Sequence, residues 1–250
     1  MQDANRSNHE LSGPKMSEGI QGRILVFIPT FGDRMAIPGL LQEVAGLGSS
    51  YRALVVDDGS VPPVRVPAGS ALRVRLPANM GLGVSTFVAF AHALRHGYDA
   101  VVRVDADGQH RIEDVPRLVA ALRDADVVVG VRANHEVPGV TRMGHRLLKR
   151  YFAGIAAAMT KGAVSEDANS GCLAVNRRAM EALNATSFER FPEPEILVAA
   201  HRARLKISSV PIAQNERAHG KSSIGPGAAF MMFLRFNVFA LAELLRRRRP

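Results

Sequence analysis

Short apolar runs rich in β-branched residues alternate along this chain with segments in which apolar residues recur every three or four positions. The first pattern is typical of buried strands, and the second is typical of helices that pack one face against a sheet. Strands are predicted at 23–29, 51–57, 72–76, 100–105 and 126–131, with helices near 35–47, 84–96 and 112–125. Strands that alternate with helices form a mostly parallel sheet with right-handed crossovers, so an α/β fold is predicted.

Beyond residue 131 the pattern loosens, but it still indicates helices and strands of the same sheet. Helices are predicted around 142–159, 177–183 and 195–205, and strands at 172–175 and 207–212. Three segments result: a polar, disordered lead-in at 1–22, a single domain at 23–223, and an apolar helix with a polybasic tail at 224–250.

Composition restricts the class of protein. With 250 residues, of which 47% are hydrophobic, the chain can bury a sizeable core. The single cysteine, Cys172, excludes an internal disulfide and a thiolate zinc site, so a reduced cytoplasm is the expected compartment. Residues 1–22 lack the apolar core of a signal peptide, which is consistent with that location.

A net charge of +9 and a pI near 10.5 indicate an anionic partner, which is nucleic acid, a membrane surface or a phosphorylated substrate. Aromatic residues are not interleaved with basic ones in a nucleic-acid-binding motif, so no nucleic acid is expected. The densest basic run, 246–249, follows the apolar stretch 228–245. This arrangement favours an interfacial helix with arginines on anionic lipid, at the inner face of the membrane, over a core helix with a solvated tail.

Two carboxylates, Asp105 and Asp107, stand two positions apart at the end of the apolar run 101–104. Alternation along a strand would point both the same way, at the carboxyl edge where open α/β sheets bind ligands. Hard cations such as Mg²⁺ or Mn²⁺ take such oxygen ligands together with diphosphate oxygens, and the Gln109 amide could add another. The alternative is a polar turn, because Asp107-Gly108 is by itself a turn signal.

Three further clusters follow the first three predicted strands: Pro29-Thr30-Phe31-Gly32-Asp33-Arg34, Val55-Val56-Asp57-Asp58-Gly59-Ser60 and Asn79-Met80-Gly81-Leu82-Gly83. A carboxylate such as Asp58 can accept hydrogen bonds from a base, and glycines let the backbone approach a phosphate or sugar. Each cluster alone also fits an ordinary turn. The Gly81-Leu82-Gly83 segment lacks the third glycine of a dinucleotide fingerprint, so it gives little support to an oxidoreductase.

Taken in order, these segments resemble the inverting, metal-dependent glycosyltransferases of the GT-A fold, a Rossmann-like mostly parallel sheet flanked by helices. The similarity is greatest to the dolichol-phosphate mannosyltransferase and polyprenyl-phosphate glycosyltransferase branch. The opening Pro29-Thr30 through Asp33 resembles P-T-Y-N-E, the next two clusters resemble V-V-D-D-G-S and N-x-G-L-G, and 105–110 resembles D-A-D-x-Q-H. Further on, 129–132 resembles V-G-S-R, 167–171 resembles D-x-x-S-G, and 217–223 resembles R-x-x-G-x-S-K.

The resemblance implies transfer of a sugar from a nucleotide-diphosphate sugar, of the GDP-mannose or UDP-glucose type, to a polyprenyl or dolichyl phosphate. It implies a donor site made by Pro29, Thr30, Asp33, Asp58, Asn79, Gly81, Asp105 and Ala106, and a Mg²⁺ or Mn²⁺ site made by Asp105, Asp107 and Gln109. The catalytic set would be Asp105, Asp107, Asp167 and Glu195. Arg132, Arg217, Lys221 and Ser222 would bind phosphate groups of donor or acceptor, a task suited to charge-assisted hydrogen bonds.

The chain also departs from the family pattern. Val61-Pro62-Pro63 replaces Thr-Asp-Gly after D-D-G-S, and the Pro-rich stretch to Gly69 leaves no room for the helix expected there. Ser223 replaces the closing lysine of the last motif, while Lys221 supplies a cation two places earlier. Tryptophan is absent, and so is a Q-x-x-R-W motif, which argues against a processive polysaccharide synthase.

Two alternatives remain. A glycosyltransferase acting on a hydroxyl of a soluble acceptor would need a carboxylate base, for which Asp167 or Glu195 is the candidate. A non-catalytic protein that binds sugar nucleotides without turnover would retain the donor pocket, but the intact Asp105 and Asp107 pair argues against it.

Overall fold

The computed structural model describes residues 22–32, 35–132, 154, 170–185, 193–213, 234, 237 and 238 of the chain. Within these ranges lie seven strands: β1 Ile24–Thr30, β2 Tyr51–Asp57, β3 Leu72–Arg75, β4 Ala100–Arg103, β5 Val127–Arg132, β6 Leu173–Asn176 and β7 Ile207–Ile212. The α-helices with defined bounds in the same ranges are α1 Ile37–Gly46, α2 Leu82–Arg95, α3 Val115–Ala121, α4 Arg177–Leu183 and α5 Glu193–Arg202.

The seven strands form one mixed sheet in the order β3-β2-β1-β4-β6-β5-β7. Strand β1 pairs in parallel with β2 and β4, β2 pairs in parallel with β3, and β5 pairs in parallel with β7. Strand β6 is antiparallel to both of its neighbours, β4 and β5. The carboxyl ends of the six other strands and the amino end of β6 therefore meet at one edge of the sheet.

Helices cover both faces of the sheet and bury two apolar layers. Helix α1 buries Ile37, Leu40, Leu41 and Val44, the spacing of a single helix face, and packs with α3 on one side. Helices α2, α4 and α5 pack on the other side, against alternate residues of the same strands, such as Leu25 and Phe27 of β1. The predicted α/β fold with a mostly parallel sheet is confirmed. None of the helices in the described ranges is both long and apolar enough to cross a membrane.

The predicted elements agree with the structure within a few residues, with two informative differences. Strand β4 ends at Arg103 and not at Asp105, because the chain turns into the segment 105–110. The helix predicted at 112–125 begins with a short 3-10 turn at Ile112–Asp114, and α3 follows. No helix forms between β2 and β3, as the proline-rich sequence predicts. The lead-in and most of the predicted segments 142–159 and 224–250 lie outside the described residues.

Asp126, just before β5, joins three elements at the opposite edge of the sheet. Its carboxylate accepts hydrogen bonds from Asn176 Nδ2 at 3.0 Å, Arg178 Nη1 at 3.2 Å and the Lys206 backbone N–H at 2.8 Å. Burial raises the pKa of Asp126, but these hydrogen bonds and the nearby cations outweigh it and hold the pKa below its usual value.

Helix α5 is connected to β7 by the short segment 203–206, so its last turn lies near the amino end of β7. Its first turn therefore lies near the carboxyl edge of the sheet.

Candidate active site

The loop after β2 is held by the fully buried carboxylate of Asp57. It accepts the backbone N–H groups of Ser60 at 2.9 Å and Val64 at 3.0 Å, and Arg75 Nε lies 3.7 Å away. Burial raises the pKa of Asp57, but the hydrogen bonds from Ser60 and Val64 and the charge of Arg75 hold it below the usual value. Asp57 therefore stays ionised at neutral pH and fixes the loop in which Asp58 stands.

Asp58 connects the three loops that follow β1, β2 and β3. Its backbone N–H donates to Thr30 O at 2.9 Å. Its carboxylate, which is buried, accepts the backbone N–H of Met80 at 2.6 Å and that of Gly81 at 2.8 Å. Gly59 has φ of +76°, and a Cβ there would lie 2.5 Å from the carbonyl carbon of Ala78. Glycine at this position therefore allows the loop after β2 to contact the loop after β3. The predicted donor residues Thr30, Asp58 and Gly81 thus form one rigid unit.

We expect Asp58→Ala to raise the donor KM far more than it lowers kcat, because the predicted contact of Asp58 with the donor base would be equally strong in the ground and transition states. The change also removes the acceptor of two backbone N–H groups, which costs about 1–3 kcal/mol of stability for each buried group left unpaired. Asp58→Asn keeps one oxygen acceptor and should show smaller shifts in both. Steady-state kinetics and thermal unfolding measure the two effects. An unchanged KM would remove Asp58 from the donor site.

Asp105 follows β4, and its carboxylate accepts hydrogen bonds from a buried arginine. Arg103 donates from Nε at 3.1 Å and from Nη2 at 3.0 Å to the same oxygen, Asp105 Oδ1. The Arg103 side chain is 6% exposed, whereas that of Asp105 is 33% exposed. The Asp105 backbone N–H donates to His110 Nδ1 at 3.2 Å, which ties the two ends of the segment 105–110 together. The Asp105 carboxylate is therefore accessible to solvent, while its backbone N–H and its Oδ1 are held by hydrogen bonds.

The start of β6 lies directly against the other oxygen of Asp105. A Cβ on Gly171 would lie 2.0 Å from Asp105 Oδ2, so only glycine allows this approach. Next to it, Ser170 Oγ donates to Gly130 O, and the Cys172 N–H donates to Ser170 Oγ at 3.3 Å. Burial, reinforced by the charge of Asp105, raises the pKa of Cys172 to about 12, so its thiol stays protonated.

Asp107 lies in the segment 105–110, and its Oδ1 accepts a hydrogen bond from the Gln109 backbone N–H at 3.0 Å. Within the described residues there is no group of three or more His, Cys, Asp or Glu side chains arranged to hold a metal ion. Two carboxylates at a solvent-accessible edge nevertheless fit Mg²⁺ or Mn²⁺, because these hard cations take one or two protein carboxylates and complete their shell with phosphate and water oxygens. The residues present therefore fit the predicted cation.

The glycosyl transferase family 2 model matches residues 25–183, from the second residue of β1 to the end of α4. The chain belongs to glycosyl transferase family 2. This confirms the predicted enzyme class, a glycosyltransferase, and the resemblance on which it was based.

Relatives of this family 2 glycosyltransferase include a mannosyltransferase and a monophosphomannose synthase. The chain is 28% identical over 242 residues to the undecaprenyl-phosphate mannosyltransferase of Micrococcus luteus, covering 90% of this chain and 98% of that protein. It is 28% identical over 218 residues to the polyprenol monophosphomannose synthase of Mycolicibacterium smegmatis, covering 81% of each.

A similar solved structure is glucosyl-3-phosphoglycerate synthase of Mycobacterium tuberculosis in complex with Mn²⁺, UDP-glucose and phosphoglyceric acid. It shares 19% identity and a TM-score of 0.67, covering 88% of this chain and 80% of that one. At this identity the similarity establishes the fold alone, and it confirms the predicted GT-A fold.

The remaining predicted site residues of this glycosyltransferase are placed unevenly. Pro29 precedes Thr30, the last residue of β1, and Asn79 belongs to the loop that Asp58 holds. The Ala106 side chain packs into the core, so only its backbone can face a donor. Glu195 is buried in the first turn of α5, and the Arg132 backbone ends β5 at the same edge. Asp33, Asp167, Arg217, Lys221 and Ser222 lie outside the described residues.

Three features of the site were not predicted from the sequence: the hydrogen bonds from Arg103 to Asp105, the close approach of Gly171 to Asp105, and the hydrogen bonds by which Asp57 holds the loop after β2. The first had a signal in the sequence. An arginine two positions before Asp105, in an otherwise apolar strand, shares its side of the sheet with Asp105 and needs an anion there. The approach of Gly171 depends on the antiparallel pairing of β6 with β4, which no local pattern indicates.

Proposed function

We propose that this chain is an inverting, metal-dependent glycosyltransferase that moves a sugar from a nucleotide-diphosphate sugar to a polyprenyl phosphate. The observation that supports it most is the placement of Asp105 and Asp107 at the same sheet edge as the unit of Thr30, Asp58 and Gly81. The names of the two mannosyl-transferring relatives support the acceptor, since both describe a polyprenol or undecaprenyl phosphate product or substrate.

Asp105, Asp107 and Gln109 would hold Mg²⁺ or Mn²⁺, and Pro29, Thr30, Asp33, Asp58, Asn79, Gly81 and Ala106 would line the donor. When bound, the cation supplies Lewis-acid stabilisation of the leaving diphosphate. The hydrogen bonds of Asp57 and Asp58 keep the loops after β2 and β3 in place, and these loops would hold the anomeric carbon of the donor where an acceptor can attack in line.

The acceptor decides whether a protein base is required. A lipid phosphate is mostly ionised near pH 7, because its second pKa is about 6, and it can attack without a base. Arg132, Arg217, Lys221 and Ser222 would bind its phosphate, since charge-assisted hydrogen bonds suit that group. A hydroxyl on a soluble acceptor would instead need a carboxylate base, Asp167 or the buried Glu195.

A donor and acceptor screen tests the proposal. GDP-mannose, UDP-glucose and UDP-N-acetylglucosamine are each offered with undecaprenyl phosphate in detergent and Mg²⁺ or Mn²⁺, with mass detection of the glycolipid. The expected result is one donor that gives a glycosyl phosphoprenol and releases its nucleotide diphosphate. Transfer only to soluble hydroxyl acceptors would favour the alternative enzyme. Donor binding without release of nucleotide under any condition would favour a non-catalytic protein.

The partner surface is an anionic membrane, which we infer from the apolar stretch 228–245 and the four arginines at 246–249. Polybasic attraction is worth about 1 kcal/mol per Lys or Arg near an anionic surface and is screened by salt, so four arginines shift partitioning by roughly three orders of magnitude at most. The enzyme would then be peripheral at the cytoplasmic face.

Deleting residues 246–250 is expected to weaken binding to phosphatidylglycerol vesicles at low salt and to slow transfer to membrane-embedded lipid phosphate. Donor hydrolysis in detergent should not change, since that reaction needs no membrane. Vesicle flotation measures the first effect, and a variant with lysines at 246–249 is the control that keeps the charge. Full-length protein that stays soluble at low salt would contradict the interfacial interpretation.

A further inference from the structure

Arg103 is a buried cation inside the sheet, and nothing in the family resemblance accounts for it. It is the last residue of β4, where its backbone lies beside Phe27 of β1 and Leu173 of β6. Its side chain is 6% exposed and shares a face of the strand with buried Val101. Burying a guanidinium is costly unless an anion and several hydrogen bonds compensate. The position therefore requires a specific partner.

The contact with Asp105 has an unusual form for an ion pair at a sheet edge. Both Arg103 donors, Nε at 3.1 Å and Nη2 at 3.0 Å, converge on Oδ1. The backbone of Gly171 stands against Oδ2, where a Cβ would lie 2.0 Å away. The carboxylate is thus confined from two sides, by a planar fork and by a strand backbone. A lysine, with a single flexible ammonium group, cannot reproduce the fork.

We propose that Arg103 is a positioning residue that holds the Asp105 carboxylate in the orientation in which it binds the divalent cation of the donor complex. This inference rests on the proposed metal-dependent function. In this role Arg103 would act through Asp105 and would not itself bind the cation or the donor. Outer partners that orient metal ligands typically change metal affinity or activity by about 10- to 100-fold when they are replaced.

Because Arg103 is charged, the direction in which its replacement changes the metal affinity distinguishes positioning from electrostatic repulsion. A cation beside a carboxylate repels a divalent ion, so removal of the charge alone would strengthen metal binding. Loss of orientation would weaken it. A weaker metal affinity in an Arg103 variant therefore identifies positioning, and a stronger one identifies electrostatic attenuation.

The test is Mn²⁺ binding measured by electron paramagnetic resonance with saturating GDP or UDP as the probe nucleotide. Arg103→Gln is expected to weaken Mn²⁺ binding about 10- to 100-fold, and Arg103→Lys by less, because lysine keeps one donor. Metal-free binding of GDP or UDP should stay unchanged, since a residue that acts only through Asp105 would not itself bind the nucleotide. In Arg103→Lys, raising the Mn²⁺ concentration should restore kcat.

The matched control is Arg178→Gln, which removes one arginine from the carboxylate of Asp126 at the opposite edge of the sheet. It should leave Mn²⁺ binding unchanged. Unchanged or tighter Mn²⁺ binding in Arg103→Gln overturns the positioning role, and so does loss of cooperative unfolding in both Arg103 variants, which would show a purely structural arginine. If the wild-type protein binds no Mn²⁺ with either nucleotide, the proposed metal-dependent function fails instead.

Discussion

Asp107→Asn is expected to lower sugar transfer by about three orders of magnitude while leaving the protein folded. The asparagine keeps an oxygen that can accept the Gln109 N–H, so the turn at 107–109 should survive. It removes the negative charge that would hold the cation, and Lewis-acid stabilisation of a leaving group is worth several kcal/mol, of which about 4 kcal/mol corresponds to a factor of 10³. Initial rates of nucleotide diphosphate release, together with the melting temperature, provide the measurement.

Two controls accompany this variant. Asp124→Asn, at an exposed carboxylate in the turn after α3, should retain full activity. Chelation by EDTA should reproduce the loss in the wild-type enzyme, and full activity in a chelated assay would refute the metal role. Asp105→Ala is a less clean variant, because it also leaves the buried Arg103 without this carboxylate partner, and breaking a buried ion pair costs about 3–5 kcal/mol.

Gly171→Ala is expected to abolish transfer almost as completely, although residue 171 carries no reactive group. The added methyl group would lie 2.0 Å from Asp105 Oδ2 and 2.8 Å from its Cγ, far inside contact distance. Arg103 holds the other oxygen, so the carboxylate can move aside only by breaking that contact. We expect a loss of activity of at least about 100-fold, as for other displaced catalytic groups, and a stability cost of about 1–3 kcal/mol from overpacking.

Gly39→Ala is the matched control, since a Cβ at this helical glycine would meet nothing within 4 Å. The change should leave activity intact and raise stability by up to about 1 kcal/mol, because alanine favours the helix. Kinetics and thermal unfolding of both variants separate a local clash from a general intolerance of alanine. A Gly171→Ala enzyme with normal Mn²⁺ affinity and rate would show that Asp105 tolerates displacement.

The strands and helices of the described regions could be predicted from sequence because each one satisfies a local pattern. Helix α1 repeats Ile37, Leu40, Leu41 and Val44 on one face, and the interior of β1 is uninterrupted by charge. The absence of a helix after β2 also followed from local chemistry, since Pro62 and Pro63 disfavour one there. Boundaries were less predictable: β4 ends at Arg103, two residues before the predicted end at Asp105, because the chain turns into the segment 105–110.

The site was predictable in its residue types and less so in its contacts. Asp58 and the Asp105 and Asp107 pair were expected at the carboxyl edge, and the structure places them there, whereas their roles toward donor and metal remain predictions. Several of the contacts that hold them are long-range. Asp58 accepts hydrogen bonds from Met80 and Gly81 in the loop after β3, and Gly171 beside β6 lies against Asp105. Such contacts depend on how elements pack and leave little trace in a local pattern.

The position of β6 also bears on how the chain folds during synthesis. Strand β6 lies between β4 and β5, although β5 precedes it in the chain. A nascent chain that has emerged as far as β5 can assemble β1 to β4 around β1, but β5 has no edge to join until β6 has left the ribosome. Gly171 lies just before β6 in the chain, so its backbone can pack against Asp105 Oδ2 only at that stage. Strands β1 to β4 can therefore pair early, while the sheet edge that carries the predicted metal ligands is completed by a later part of the chain.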